Sequence, residues 1–130
     1  MVTWRSKKQS VVAQSNAEAE FRALANQICE GLRLRRLLED LKIRLPQPIR
    51  VFCDNNAAVA IAHNPVQHNR TKHVKVDRHL IKKKIDNKVI ILSYVPSAEQ
   101  RADVLTKGLH KGPFLEMIDK LSMENIFKPA

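Results

Sequence analysis

Three acidic residues of this chain stand where a carboxylate could do chemistry. Glu20 lies near the start of a predicted helix, Asp54 ends a predicted strand, and Asp103 lies near the start of a late helix. Hydrolysis of a phosphodiester by two metal ions uses carboxylates that hold the cations about 3.5–4 Å apart. Mg²⁺ prefers carboxylate oxygens and keeps several waters, so few protein ligands are enough. On a basic chain, the three acids together suggest a divalent-metal site that acts on nucleic acid.

Each of these acids also has a simpler structural interpretation. Glu20 could be an ordinary acid favoured by the helix dipole, Asp54 could cap the helix that follows it, and Asp103 could be a solvent-exposed helix acid. Asp54 is the most specific of the three, because ligands of open α/β sheets gather at the carboxyl ends of strands. We leave Glu18 out of the site, because its position three residues after Ser15 completes a capping box.

The elements that would position the acids follow from apolar periodicity and capping signals. A capping box at Ser15 and Glu18 opens the first helix, and a second one, Ser97 with Gln100, opens the fourth. The predicted helices span 16–41, 55–63, 74–86, 98–108 and 114–121, and the predicted strands span 2–6, 49–53 and 89–95. This order predicts an α/β fold in a single domain over 1–130.

The composition is that of a basic globular chain. Apolar residues make up 44% of the 130, and Lys and Arg number 23 against 13 Asp and Glu, a net charge of +10 that favours a nucleic-acid partner. Cys29 lies in a helical pattern and Cys53 in an apolar strand, so both are predicted to be buried thiols of a reducing compartment. Without a membrane-length apolar run or a signal-peptide core, we expect an intracellular protein, cytoplasmic or nuclear, with no membrane partner.

Positive charge is concentrated in residues 63–88, which carry +6 of the total +10. In the helix over 74–86, one half of the surface is predicted to be apolar, with Val76, Ile81 and Ile85, and the other half basic. Phosphate contacts dominate nucleic-acid affinity and carry little sequence information, so such a face suits backbone binding. The alternative is a solvated helix face. The residues predicted to bind nucleic acid are Arg70, Lys72, Lys75, Arg78, Lys82 and Lys83.

Seven short segments in chain order carry a resemblance to a known family. They are residues 4–13, 17–24, 53–58, 70–74, 77–81, 94–96 and 102–107. Together they resemble the RNase H domain at the C-terminal end of the Pol polyprotein of copia-type retrotransposons, over nearly the whole chain. The resemblance implies an RNase H-like mixed sheet flanked by helices. It also implies hydrolysis of the RNA strand of an RNA–DNA hybrid with Mg²⁺ or Mn²⁺.

The resemblance further implies an Asp-Glu-Asp-Asp set of metal ligands. Glu20 matches the family's Glu, Asp54 its second Asp and Asp103 its last Asp. The first Asp lies on a strand upstream of residues 4–8 and has no counterpart among these 130 residues, nor have the first two strands. We therefore expect an N-terminally truncated domain that binds metal weakly, has poor activity and leaves strand edges unpaired.

Two further hypotheses remain beside a truncated RNase H domain of a retroelement polyprotein. The chain could be a non-catalytic nucleic-acid-binding remnant that keeps the basic face without turnover, or a small basic assembly protein with an accidental acidic triad. The sequence leaves open whether the chain is itself an enzyme. Under the leading hypothesis its partners are an RNA–DNA hybrid and an upstream reverse transcriptase region.

Overall fold

The computed structural model describes residues 4, 8–10, 12–13, 15–64 and 72–127, with the backbone alone at 72–74. The helices are α1 (Asn16–Asp40), α2 (Asn56–His63), α3 (Lys72–Asp86), α4 (Asp103–Thr106) and α5 (Lys111–Lys120). The strands are β1 (Ile49–Cys53) and β2 (Ile90–Tyr94), and a 3₁₀ turn covers Ser97–Glu99. The chain divides into two compact units, Gln9–Val95 and Met1–Lys8 with Pro96–Ala130.

The long helix α1 begins where the capping signal predicts. The Ser15 hydroxyl accepts a hydrogen bond from the Glu18 N–H at 3.2 Å, which satisfies one of the N–H groups left open at a helix start. Phe21, Leu24 and Ile28 recur at helical spacing on one side of α1 and are fully buried. They form the centre of the core, against which α2, α3 and β1 pack.

The two strands form a parallel pair in which Ile49 lies opposite Ile90 and Cys53 opposite Tyr94. Parallel strands need a long crossover, which α2 and α3 supply here. Alternate residues point to opposite faces, so Val51 and Leu92 are buried under the helices. The other face carries exposed Phe52. The described residues thus have the predicted α/β class, while the RNase H-like features of the fold remain a prediction.

Residues 97–106 do not form the continuous helix predicted over 98–108. Ser97 lies inside the 3₁₀ turn, and the cap position is Pro96, which makes no side-chain capping bond. Gln100 has extended backbone angles, so it interrupts the helix that its predicted capping box with Ser97 was to open. A new helix, α4, then begins at Asp103 and ends after one turn. The predicted second capping box is therefore wrong.

Two further expectations about exposure are wrong, and one predicted element cannot be compared. Val76 is 63% exposed, because the side of α3 that packs on the core centres on Ile81 rather than on the whole apolar half of the wheel. Cys29 is exposed on α1, whereas Cys53 is buried as predicted. The predicted strand over 2–6 lies outside the described residues apart from Trp4, which is not in a strand.

Candidate functional site

Asp54 directly follows β1 and precedes α2, at the carboxyl end of the parallel pair. The structural alternative for this residue was a helix cap. That task falls to Asn55, whose side-chain oxygen accepts a hydrogen bond from the Ala58 N–H at 3.0 Å. Because α2 has its cap in the next residue, capping does not explain the half-buried carboxylate of Asp54. Its position is the one at which open α/β sheets bind ligands.

Glu20 lies on α1 beyond the first turn, where its exposed side chain stands next to the buried Phe21. The only acid of the first helical turn is Glu18, so the helix dipole gives little reason for a carboxylate at position 20. α1 packs on β1, the strand that Asp54 follows.

The Cys53 thiol is influenced by the charges of both acids. Burial raises the pKa of the Cys53 thiol, and the negative charges of Asp54 and Glu20 raise it further, against an opposing contribution from a backbone hydrogen bond at Asn55. Burial and nearby like charge both disfavour a thiolate. Glu20 and Asp54 thus both act electrostatically on one thiol at the end of β1, and their role as a pair of metal ligands remains a prediction.

Asp103 belongs to the other compact unit and begins α4. Its carboxylate is 2.9 Å from the Lys107 ammonium and is only 14% exposed, so it is not the freely solvated acid of the simpler interpretation. Sequence spacing could have indicated this partner, because Asp and Lys four residues apart meet on one face of a helix. Among the described residues, no group of three or more His, Cys, Asp or Glu side chains is placed to hold a metal ion.

The donor chemistry of the pair nevertheless fits a hard divalent cation. Mg²⁺ binds through one or two carboxylates and completes its shell with waters and substrate phosphates. Glu20 and Asp54 supply that many carboxylates within the unit Gln9–Val95. Asp103 lies in the other unit, and its role as a ligand remains a prediction.

A buried ion pair next to the candidate site escaped the sequence analysis. The Arg22 guanidinium lies 3.3 Å from the Glu18 carboxylate, and both side chains are about nine-tenths buried on α1. Glu18 is thus more than the outer member of a capping box. The acid-to-base spacing of four residues was the signal that could have revealed the pair. Buried charges persist when they are paired, and this pair lies two residues to either side of Glu20.

The basic face predicted on α3 is present where side chains are described. Ile81 anchors the helix in the core, while Lys75, Lys82 and Lys83 are exposed. Arg78 is half-buried, so it is less available than the lysines. Of the other two candidates, Arg70 and the side chain of Lys72 lie outside the described residues. None of the described helices has both the length and the apolar character needed to cross a membrane.

The chain is similar to parts of much larger proteins from plants. It is 36% identical to the retrovirus-related Pol polyprotein from transposon RE1 of Arabidopsis thaliana over 125 residues, and these residues make up 96% of this chain. It is also 36% identical over 122 residues to the corresponding polyprotein from transposon RE2 of the same plant, and 33% identical over 113 residues to that from transposon TNT 1-94 of Nicotiana tabacum. The chain spans about 8% of the length of these relatives.

Homologues of this chain are therefore Pol polyproteins of copia-type retrotransposons, and they cover most of its residues. This relationship supports a domain of a retroelement polyprotein. No protein-family profile matches the chain. No solved structure matches it either.

Proposed function

We propose that this domain is an RNase H-type nuclease domain of a copia-like retrotransposon Pol polyprotein, which hydrolyses the RNA strand of RNA–DNA hybrids. The observation that carries the proposal is the placement of Asp54 at the carboxyl end of β1. It is not the cap of the next helix, and Glu20 of α1 lies in the same locality. The homology to Pol polyproteins supports a nucleic-acid substrate.

In this proposal Glu20, Asp54 and Asp103 hold divalent cations through carboxylate oxygens. Such ions activate water and stabilise the leaving oxygen of a phosphodiester. Asp54 is attached to a strand of the core and Glu20 to a helix packed on it, so both are held on rigid elements. Asp103 would have to exchange its contact with Lys107 for a cation. The three proposed carboxylates are few protein ligands for two cations, so we expect weak metal binding and low activity.

The lysines of α3 would hold the backbone of the hybrid. Lys75, Lys82 and Lys83 are exposed on a helix that Ile81 fixes to the core. Contacts of this kind neutralise phosphates and release counterions without reading bases. They suit an enzyme whose substrate is defined by the type of duplex rather than by its sequence.

The test is cleavage of a labelled RNA–DNA hybrid by the purified chain in Mg²⁺ or Mn²⁺, beside Asp54→Asn and the control Asp40→Asn. Asp40 is an exposed acid at the end of α1, so its substitution changes net charge by the same amount far along the helix from Glu20. We expect slow, metal-dependent cleavage that Asp54→Asn abolishes and Asp40→Asn leaves in place. Cleavage that persists in Asp54→Asn would refute the assignment.

A second candidate function is nucleic-acid binding without turnover. The ion pair between Asp103 and Lys107 favours it, because that carboxylate already has a cationic partner. Hybrid binding that weakens steeply with salt, together with no cleavage in either metal, would support this second function. Binding that does not depend on salt would contradict both candidates, since each uses the lysines of α3.

A further inference from the structure

A basic pocket lies at the C-terminal end of α1, the end opposite to Glu20. It is formed by the last turns of the helix and the segment leading to β1, and it has a volume of about 590 Å³. Its lining carries three cationic side chains against one carboxylate. The lining residues are Arg35, Glu39, Lys42, Arg44, Leu45 and Gln47.

Arg35 is the most buried of the lining residues, and its hydrogen-bonding groups are only partly satisfied. It is 6% exposed, and its Nε donates a hydrogen bond to the Glu39 carboxylate at 2.9 Å. Its Nη1 is buried and has no hydrogen-bond acceptor among the described residues. A buried donor left without an acceptor is costly, and more so when the group is charged. Because Arg35 lines the pocket, a rotation of its guanidinium would let an oxygen-bearing ligand there supply the missing acceptor.

The backbone carbonyl groups at the end of α1 do not accept a hydrogen bond from Arg35 Nη1 in the described structure. They are engaged by the chain that follows, because the Lys42 N–H bonds to the Glu39 carbonyl at 2.9 Å and the Ile43 N–H to the Leu38 carbonyl at 2.8 Å. These two bonds define a Schellman motif, in which the residue after the cap adopts a left-handed conformation. The motif turns the chain back so that Arg44 reaches the same pocket as Arg35.

The residue in the left-handed position is Lys42, with a φ of 64°. Glycine usually occupies this position, because a Cβ atom makes the conformation unfavourable. A lysine there is a strained choice for the fold, and its side chain lines the pocket. Lys88 and Ser122 adopt the same conformation after α3 and α5, so the left-handed turn is a common helix end in this chain. Its consequence at α1 is that Lys42 lines the pocket.

We propose that this pocket is a phosphate-binding subsite for the backbone of a nucleic acid. The guanidinium of Arg35 offers a buried donor, and Lys42 and Arg44 add positive charge at the rim, which is the chemistry that recognises a phosphate. The proposal rests on the proposed function only in taking a nucleic acid as the source of the phosphate. It places a backbone contact outside α3 and away from the candidate carboxylates.

The test measures hybrid affinity against salt for the whole chain by fluorescence anisotropy. Arg44→Gln and Lys42→Gly remove one pocket charge each at exposed positions, and Arg36→Gln removes an exposed charge beside Arg35 that does not line the pocket. We expect each pocket variant to make the slope of log affinity against log salt shallower by about 0.9, the value for one lost phosphate contact, while the control keeps the slope. Lys42→Gly should also raise the melting temperature, since glycine relieves the left-handed strain.

Two results would overturn the subsite. Equal losses in the pocket variants and in Arg36→Gln would mean that only overall charge matters, and unchanged slopes in Arg44→Gln and Lys42→Gly would mean that the pocket does not touch the nucleic acid. Inorganic phosphate, compared with chloride at equal ionic strength, separates the sources. Phosphate could raise the melting temperature of the wild-type chain but not of Arg44→Gln, while the salt slope of hybrid affinity is the same in both. In that case the ligand is a free phosphate. Absence of cleavage with the slope differences intact would refute the nuclease and leave the pocket standing.

Discussion

Replacing Ile81 by alanine should remove a large part of the free energy of unfolding, because this side chain fixes α3 to the core. Ile81 has 0% exposure and belongs to the core cluster with Phe21, Leu24 and Ile28 of α1. Deleting a buried aliphatic side chain loses its transfer free energy and leaves a cavity, together about 2–5 kcal/mol for Ile to Ala. Complete burial places Ile81→Ala in the upper part of that range. Domains of this size have only about 5–15 kcal/mol in total, so the loss is a substantial fraction.

Val76→Ala is the matched control on the same helix. Val76 is 63% exposed, so the substitution should change the free energy of unfolding by no more than about 0.5 kcal/mol. The assay is urea unfolding, in which Ile81→Ala lowers the midpoint with an unchanged slope. Similar losses in the two variants would refute the packing of α3 described above. They would instead support the sequence-based prediction that both side chains belong to one apolar face.

Other predictions concern the cap of α1 and the thiol beside the acids. Ser15→Ala should lower the free energy of unfolding by about 1 kcal/mol in urea, whereas the same change at exposed Ser10 should not. Alkylation of the native chain should modify exposed Cys29 before buried Cys53, and Asp54→Asn should speed the reaction of Cys53 at alkaline pH. If Asp54→Asn left the alkylation rate of Cys53 unchanged, the predicted effect of the Asp54 charge on the thiol would be refuted. The pKa of Cys53 is higher in the folded chain than in the unfolded chain. Its contribution to stability is therefore complete below the unfolded pKa of about 8.5 and should be lost as pH rises through the folded pKa. Urea unfolding across this pH range, with Cys53→Ala as reference, measures the loss.

The elements that the sequence predicts well are those whose signals are local. Ser15 begins α1 because its hydroxyl and the Glu18 N–H are only three residues apart, and the apolar stripe of Phe21, Leu24 and Ile28 continues on the same face. The strand over 49–53 is observed with the predicted bounds, since a short buried apolar run between proline and polar residues has few alternatives. The common effect of Glu20 and Asp54 on the Cys53 thiol follows once α1 packs on β1.

Predictions failed where tertiary packing or backbone angles decided between local alternatives. Ser97 and Gln100 have the right types for a capping box, yet the chain turns in a 3₁₀ conformation after Pro96 and becomes extended at Gln100. Val76 has the right hydrophobicity for the core, but the contact of α3 with α1 selects Ile81. The left-handed Lys42 could not be predicted, because its residue type argues against the conformation it adopts. Without that turn, nothing in the sequence brings Arg44 to Arg35.

The two ends of α1 take part in the two contacts proposed above. Near its start, Glu20 and Asp54 place negative charge around the buried Cys53 thiol, and both charges raise the pKa of that thiol. At its end, Arg35 and the turn at Lys42 gather positive charge around a donor that lacks an acceptor. Under the two proposals, divalent cations would meet the acids and a phosphate of the nucleic acid would meet Arg35. Because α1 is a continuous helix of 25 residues, rising about 1.5 Å per residue, the helix would then set the separation of these two proposed contacts.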